Sequence, residues 1–137
     1  MPTASEVVRR WKERMRARDF ADMSDVVDLD GYTEICLGLT EWTTGYDIAF
    51  SNYLKNMVRP WTDMQASDEE VLETAGAVII RSRVTATHTG EFLGIPPTGR
   101  RVSWDAVNIV YVAGGKVVGQ WAQPDLWGIY RQLARPQ

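Results

Sequence analysis

The residues with chemistry to offer are carboxylates and amides set among apolar neighbours. Glu34 stands in the run Tyr32-Thr33-Glu34-Ile35-Cys36-Leu37. A carboxyl in apolar surroundings holds its proton to higher pH and can serve as acid or base near neutrality. The plainer alternative is a solvated glutamate at a strand end. Asp105 and Asn108 lie in Trp104-Asp105-Ala106-Val107-Asn108. Strict alternation puts Trp104, Ala106, Asn108 and Val110 on one face of a strand, and Asp105 with Val107, Ile109 and Tyr111 on the other. Asn108 then either donates to an oxyanion without titrating or makes a cross-strand hydrogen bond. Asp105 either pairs with Arg83 across the sheet or, if a β-bulge reverses the phase, turns inward as an acid. Asp125 follows Pro124 and is either a further acid or the cap of a short terminal helix. His88, the one imidazole, either bonds nearby backbone or orients a ligand carbonyl. Trp104 offers a flat wall to an aromatic ligand. Trp11, Met15, Tyr32, Phe50, Trp61 and Trp121 are further candidates for lining an apolar pocket, with ordinary core packing the competing explanation.

Other chemistries are excluded by counting. One cysteine, Cys36, and one histidine leave no thiolate zinc cluster and no multi-histidine metal site. The glycines of residues 90–100 are not followed by a helix start, so they do not match a phosphate cradle. The net charge of −3 argues against nucleic acid as a partner. No run approaches the roughly 18 apolar residues of a membrane span, and the first residues lack an apolar signal core. The expectation is a cytoplasmic protein.

The elements that must hold these side chains follow from periodicity. A chain of 137 residues with 45% hydrophobic and 24% charged residues suits one globular domain over 1–137. Thr3 and Glu6 have capping-box spacing. Val7, Val8, Trp11 and Met15 then recur at helical period. Residues 20–27 predict a second short helix with Phe20, Met23, Val26 and Val27 inward, followed by a turn at 28–31. A short strand is expected over 32–37. A third helix is expected from Thr44 to about Val58, with Ile48, Phe50, Tyr53, Leu54 and Met57 on its apolar face, closed by Pro60. From residue 70 the period becomes two. Strands are predicted at 70–74, 77–89, 101–112 and 116–123, with a turn at 113–115 and a helical end from Leu126 to Leu133. Helices first and then an antiparallel meander indicate an α+β fold.

The stretch His88-Thr-Gly-Glu-Phe-Leu-Gly-Ile-Pro-Pro-Thr-Gly-Arg-Arg101, then Gly115-Lys116-Val117, Trp121, Asp125 and Arg131-Gln132-Leu133, resembles the SnoaL-like polyketide cyclase family. The resemblance implies the cone-shaped α+β barrel of nuclear transport factor 2, with helices on a curved, mostly antiparallel sheet. It also implies an apolar cavity and no metal or organic cofactor. In the cyclases an aspartate takes a proton from carbon beside a carbonyl, and the enolate closes a ring by aldol attack with help from a histidine. An ungapped alignment through Arg100-Arg101 and Gly115-Lys116 puts Ala122 at the aspartate position and Asn108 at the histidine position. Ala106 falls at a family glutamine and Glu34 at a family asparagine.

Alanine cannot accept a proton, so those departures favour the branch of the family that hydroxylates anthracycline-type rings. That branch implies oxygen, a polycyclic aromatic polyketide substrate and a separate reductase. A cyclase with a relocated carboxylate is the alternative, and a non-catalytic ligand binder is a third reading. The epoxide hydrolases of this fold are disfavoured because their Asp–Arg–Asp set cannot be placed. Val107, Ile109 and Tyr111 would form an exposed apolar patch, and with the resemblance they imply a homodimer packed through the outer sheet faces.

Overall fold

The structure, a computed structural model, describes residues 2–136; Met1 and Gln137 of the expected domain lie outside the described residues. Helix α1 spans Ala4–Arg16 and opens on the predicted capping box. Glu6 N–H donates to Thr3 Oγ1 at 3.2 Å, and Thr3 N–H donates back to Glu6 Oε2 at 3.1 Å. Its buried face carries Val7, Val8 and Trp11. The helix predicted over 20–27 does not form. Val117 N–H donates to Val26 C=O at 2.8 Å and Asp28 N–H donates to Val117 C=O at 3.0 Å. Those backbone groups are committed to a strand instead of a helical turn. Met23, Val26 and Val27 are buried all the same.

Strand β1 covers Thr33–Cys36 and β2 covers Thr43–Thr44. Helix α2, Tyr46–Tyr53, runs on into a π-helical turn, Leu54–Val58. Its inner face is Tyr46 and Ala49, while Ile48 is exposed, so the apolar stripe is rotated from the one expected. Strands β3 (Trp61–Glu73), β4 (Ala77–His88), β5 (Arg101–Ala113) and β6 (Lys116–Pro124) follow, then α3, Leu126–Ala134. Strand β3 begins at Trp61 rather than at residue 70. Register shifts between Thr62 and Gln65 and between Asp68 and Glu70 break its alternation, and its residues are mostly exposed. A hydrophobic pattern therefore marks only its second half.

The six strands form one sheet in the order β2-β1-β6-β5-β4-β3. Neighbours are antiparallel except β1 and β6, which run parallel. The sheet is open, so the expected barrel does not close. Pairing of β4 with β5 is unbroken from Ala77↔Tyr111 to Thr87↔Arg101. The phase of β5 is thereby fixed, with Trp104 and Val110 buried on the concave side and Asp105 and Tyr111 exposed on the other.

Strand β6 stops at Pro124, opposite Ala106. Beyond that point the edge of β5 is covered by α3. The Gln132 side-chain amide stands in for a strand there: Ser103 N–H donates to its Oε1 at 3.1 Å, and its Nε2 donates to Ser103 C=O at 2.7 Å. The core has two parts. One gathers Val7, Trp11, Val26, Tyr32, Tyr46, Ile80 and Val110. The other gathers Trp61, Val84, Phe92, Trp104, Ile129 and Leu133.

Candidate functional site

A polar seam lies on the concave face between the two apolar clusters. Parallel pairing sets Glu34 on β1 beside Gln120 on β6. On β5, Asn108 comes between Trp104 of one cluster and Val110 of the other. The side chains join in a chain of hydrogen bonds. Asn108 Nδ2 donates to Gln120 Oε1 at 3.0 Å, and Gln120 Nε2 donates to Glu34 Oε1 at 3.0 Å. The Tyr32 hydroxyl donates to the same Glu34 oxygen at 2.5 Å. Burial pushes the Glu34 carboxyl above its ordinary value, against the lowering effect of its two donors. Burial, with the Glu34 charge beside it, raises the Tyr32 phenol far out of the physiological range, so it acts only as a neutral donor. Burial also lifts the Cys36 thiol to about 11, which leaves it protonated.

A second layer supports Tyr32. Its ring meets that of Tyr46 edge-on at 5.0 Å and lies 6.5 Å from that of Trp11. The indole N–H of Trp11 donates to the Tyr46 hydroxyl at 2.9 Å, which donates in turn to Met15 Sδ at 3.5 Å. Phe50 stacks against Tyr46 at 6.4 Å. Trp11, Met15, Tyr32 and Phe50, expected around a pocket, pack with Tyr46 behind Glu34 as its apolar wall.

Trp104, Trp61 and His88 form the wall on the other side. The two indoles are 4.9 Å apart, and the His88 ring is 5.4 Å from Trp61. The imidazole is fully buried. Thr98 N–H donates to its Nδ1 at 3.1 Å, and the Thr98 hydroxyl lies 3.0 Å from the same atom. An acceptor Nδ1 places the ring proton on Nε2. That nitrogen has no partner among the described residues. His88 thus fastens the Pro96-Pro97-Thr98 loop to the core.

Three expected site residues lie elsewhere. Asp105 is on the convex face, where Arg83 donates to it at 3.1 Å. No bulge turns it inward, because the β4–β5 register is continuous. Asp125 caps α3, accepting from Gly128 N–H at 2.9 Å. Trp121 pairs with Ile109 in register, on the face opposite Asn108 and Ala122. Gln120 was missed, although it lies two residues before Ala122 and so on the same strand face.

An open groove of about 530 Å³ lies at the end of the sheet, and none of Tyr32, Glu34, Asn108 and Gln120 lines it. Leu37, Ala106, Pro124, Leu126 and Trp127 line it, and Asp105 and Arg81 reach it from the convex side. Ala106 precedes Asn108 by two positions on one face, so small side chains, Ala106 and Ala122, flank the relay. Among the described residues no group of acidic, histidine and cysteine side chains is arranged to hold a metal ion. No helix among the described residues is long and apolar enough to cross a membrane.

Comparison with known proteins finds both cyclases and a candidate hydroxylase. The chain is 34% identical over 82 residues to aklanonic acid methyl ester cyclase AcmA of Streptomyces galilaeus, an alignment covering 56% of this chain and 57% of that protein. Against the cyclase of the same name from Streptomyces peucetius, DnrD, identity is 25% over 138 residues, covering 99% of this chain and 94% of the relative. Among solved structures, AclR of Streptomyces galilaeus, a candidate hydroxylase, superposes with a TM-score of 0.73 at 24% identity, over 98% of this chain and 85% of that one. IdmH of Streptomyces antibioticus, a candidate polyketide cyclase, reaches 0.77 at 21% identity, over 98% and 100%. These structural likenesses speak to the fold. The sequence profile of SnoaL-like polyketide cyclases matches residues 5–133, so the chain belongs to the SnoaL-like polyketide cyclase family.

Proposed function

We propose that this chain is an enzyme of anthracycline-type polyketide biosynthesis that closes a ring of a polyketide ester by intramolecular aldol addition, with Glu34 as its acid and base. The observation that carries the reading is the Glu34 carboxyl, raised by burial and hydrogen-bonded into one unit with Asn108. The family aspartate position is occupied by Ala122. Its pairing partner on β1 is Cys36, two residues from Glu34 on the same face. The carboxylate has moved one strand over and still borders the same space. In the forward step the ionised Glu34 takes a proton from carbon beside a carbonyl. The enolate carbon bonds to a second carbonyl carbon of the same molecule, and Asn108 donates to the oxyanion that forms. The proton held by Glu34 then passes to the new alkoxide, which restores the carboxylate. The groove side chains Leu37, Ala106, Leu126 and Trp127 hold the flat rings.

The names of the relatives weigh toward ring closure. A second reading, hydroxylation of a ring carbon with oxygen and a partner reductase, draws support from Ala122 and Asn108 standing where cyclases carry aspartate and histidine. Product mass separates the two. With aklanonic acid methyl ester, the compound in the relatives' names, a product of unchanged mass with an added ring supports the cyclase. A product one oxygen atom heavier, formed from a reduced anthraquinone in air with a reductase, supports the hydroxylase. Tight binding without turnover of either points to a carrier. The outer sheet face, with Val107, Ile109, Tyr111 and Trp121, is proposed as the contact with a second copy.

A further inference from the structure

We infer that Gln120 is a positioning residue that makes Glu34 a one-sided base, confining proton exchange to its Oε2 and tying that carboxyl to the amide of Asn108. The inference rests on Glu34 as the acid–base group and adds which atom works and what holds it. Both donors to the carboxyl, the Tyr32 hydroxyl at 2.5 Å and Gln120 Nε2 at 3.0 Å, fall on Oε1. No side chain or backbone group among the described residues bonds Oε2. That atom is also absent from the sealed, unpartnered polar atoms, which are Arg14 Nε and His88 Nε2, so Oε2 retains access to solvent or ligand.

An oxygen already accepting two hydrogen bonds is a poor site for a proton, because protonation there would set a donor against two donors. The free oxygen takes it. The direction of the Gln120 amide is not left to chance. Asn108 Nδ2 donates to its Oε1 at 3.0 Å, which an amide turned over would meet with its NH₂. Asn108 thus locks Gln120, and Gln120 locks Glu34. The same contact spends one Asn108 N–H and leaves the other for an oxyanion. The titratable groups packed on Glu34 are the Tyr32 and Tyr46 phenols and the Cys36 thiol, each raised by burial and uncharged at neutral pH. No neighbouring charge therefore takes over the role of the amide.

The test needs no substrate. Carboxyl-labelled glutamate allows Glu34 to be titrated by NMR in the folded protein. Gln120→Met removes the donor at nearly constant volume, and the Glu34 pKa is expected to rise. Asn108→Ala removes the lock alone and should raise it by less. Gln123→Ala, on the exposed face of the same strand, should leave it where it was. With a turned-over substrate, Gln120→Met should shift the acid limb of the pH–rate profile upward in step, and kcat should fall by about tenfold or more, as for loss of a hydrogen bond to a charged group. A Glu34 pKa unchanged in Gln120→Met and Asn108→Ala, both folded by circular dichroism, overturns the inference. A shifted titration without any cyclised product would leave it standing and sink the aldol reading instead.

Discussion

Glu34 is stable protonated and useful ionised, and that tension sets its stability signature. Burial raises its pKa in the folded chain. As pH climbs past the ordinary carboxylate range of about 4.3, the unfolded chain releases this proton first, so stability falls until the folded group also ionises. Glu34→Gln keeps an acceptor for Tyr32 and Gln120 and removes the charge. Its melting temperature should exceed that of the parent at pH 7 and match it in acid. If Glu34 is the base, the same variant should lose about 10²–10⁴-fold in kcat, measured by product formation. His88 has the opposite sign. Burial lowers its pKa, so below about 6.5 the unfolded chain takes up the proton first and stability drops as pH falls. Protonation would also place an N–H on Nδ1 against Thr98 N–H, which donates there at 3.1 Å. In a Glu34→Gln background, which removes the opposing carboxyl titration, urea midpoints measured at falling pH should decline with His88 in place and flatten in His88→Gln. Glu34 was legible in the sequence because a lone carboxylate interrupts an apolar run. Gln120 was not, because an amide in a strand signals nothing until a partner stands beside it.

At the scale of elements, the end of the sheet depends on a side chain imitating a strand. Gln132 closes two hydrogen bonds to Ser103 where β6 has ended. Gln132→Ala would strand half-buried backbone groups, at a cost of about 1–3 kcal/mol, and urea denaturation should show it. Asp125→Ala removes the α3 cap and should cost about 1 kcal/mol, with no shift in any pH–rate profile, because this carboxylate bonds Gly128 rather than the relay. The long strands β4, β5 and β6 were readable, since one face of each is buried and alternation follows. The start of β3 and the turns over 20–27 were not. Their backbone partners lie far along the chain, Thr85 for Gln65 and Val117 for Val27.

For the whole molecule, the convex face carries Val107 at 36% and Tyr111 at 39% exposure, with Leu72 at 52% farther along. If this face pairs with a second copy, sedimentation should give twice the chain mass, and Tyr111→Glu should halve it while leaving the Glu34 titration unchanged. A single mass for the parent at micromolar concentration would remove that contact. The sequence by itself determined the α+β class, the capped first helix and the family, because each is written in local periodicity or in a motif. The tertiary structure decided which polar groups meet. Parallel pairing of β1 with β6 brings Glu34 beside Gln120. Unbroken β4–β5 register sends Asp105 outward to Arg83. Hydrogen bonds between residues 86 positions apart depend on strand order and register, and neither is carried by the spacing of residues along the chain.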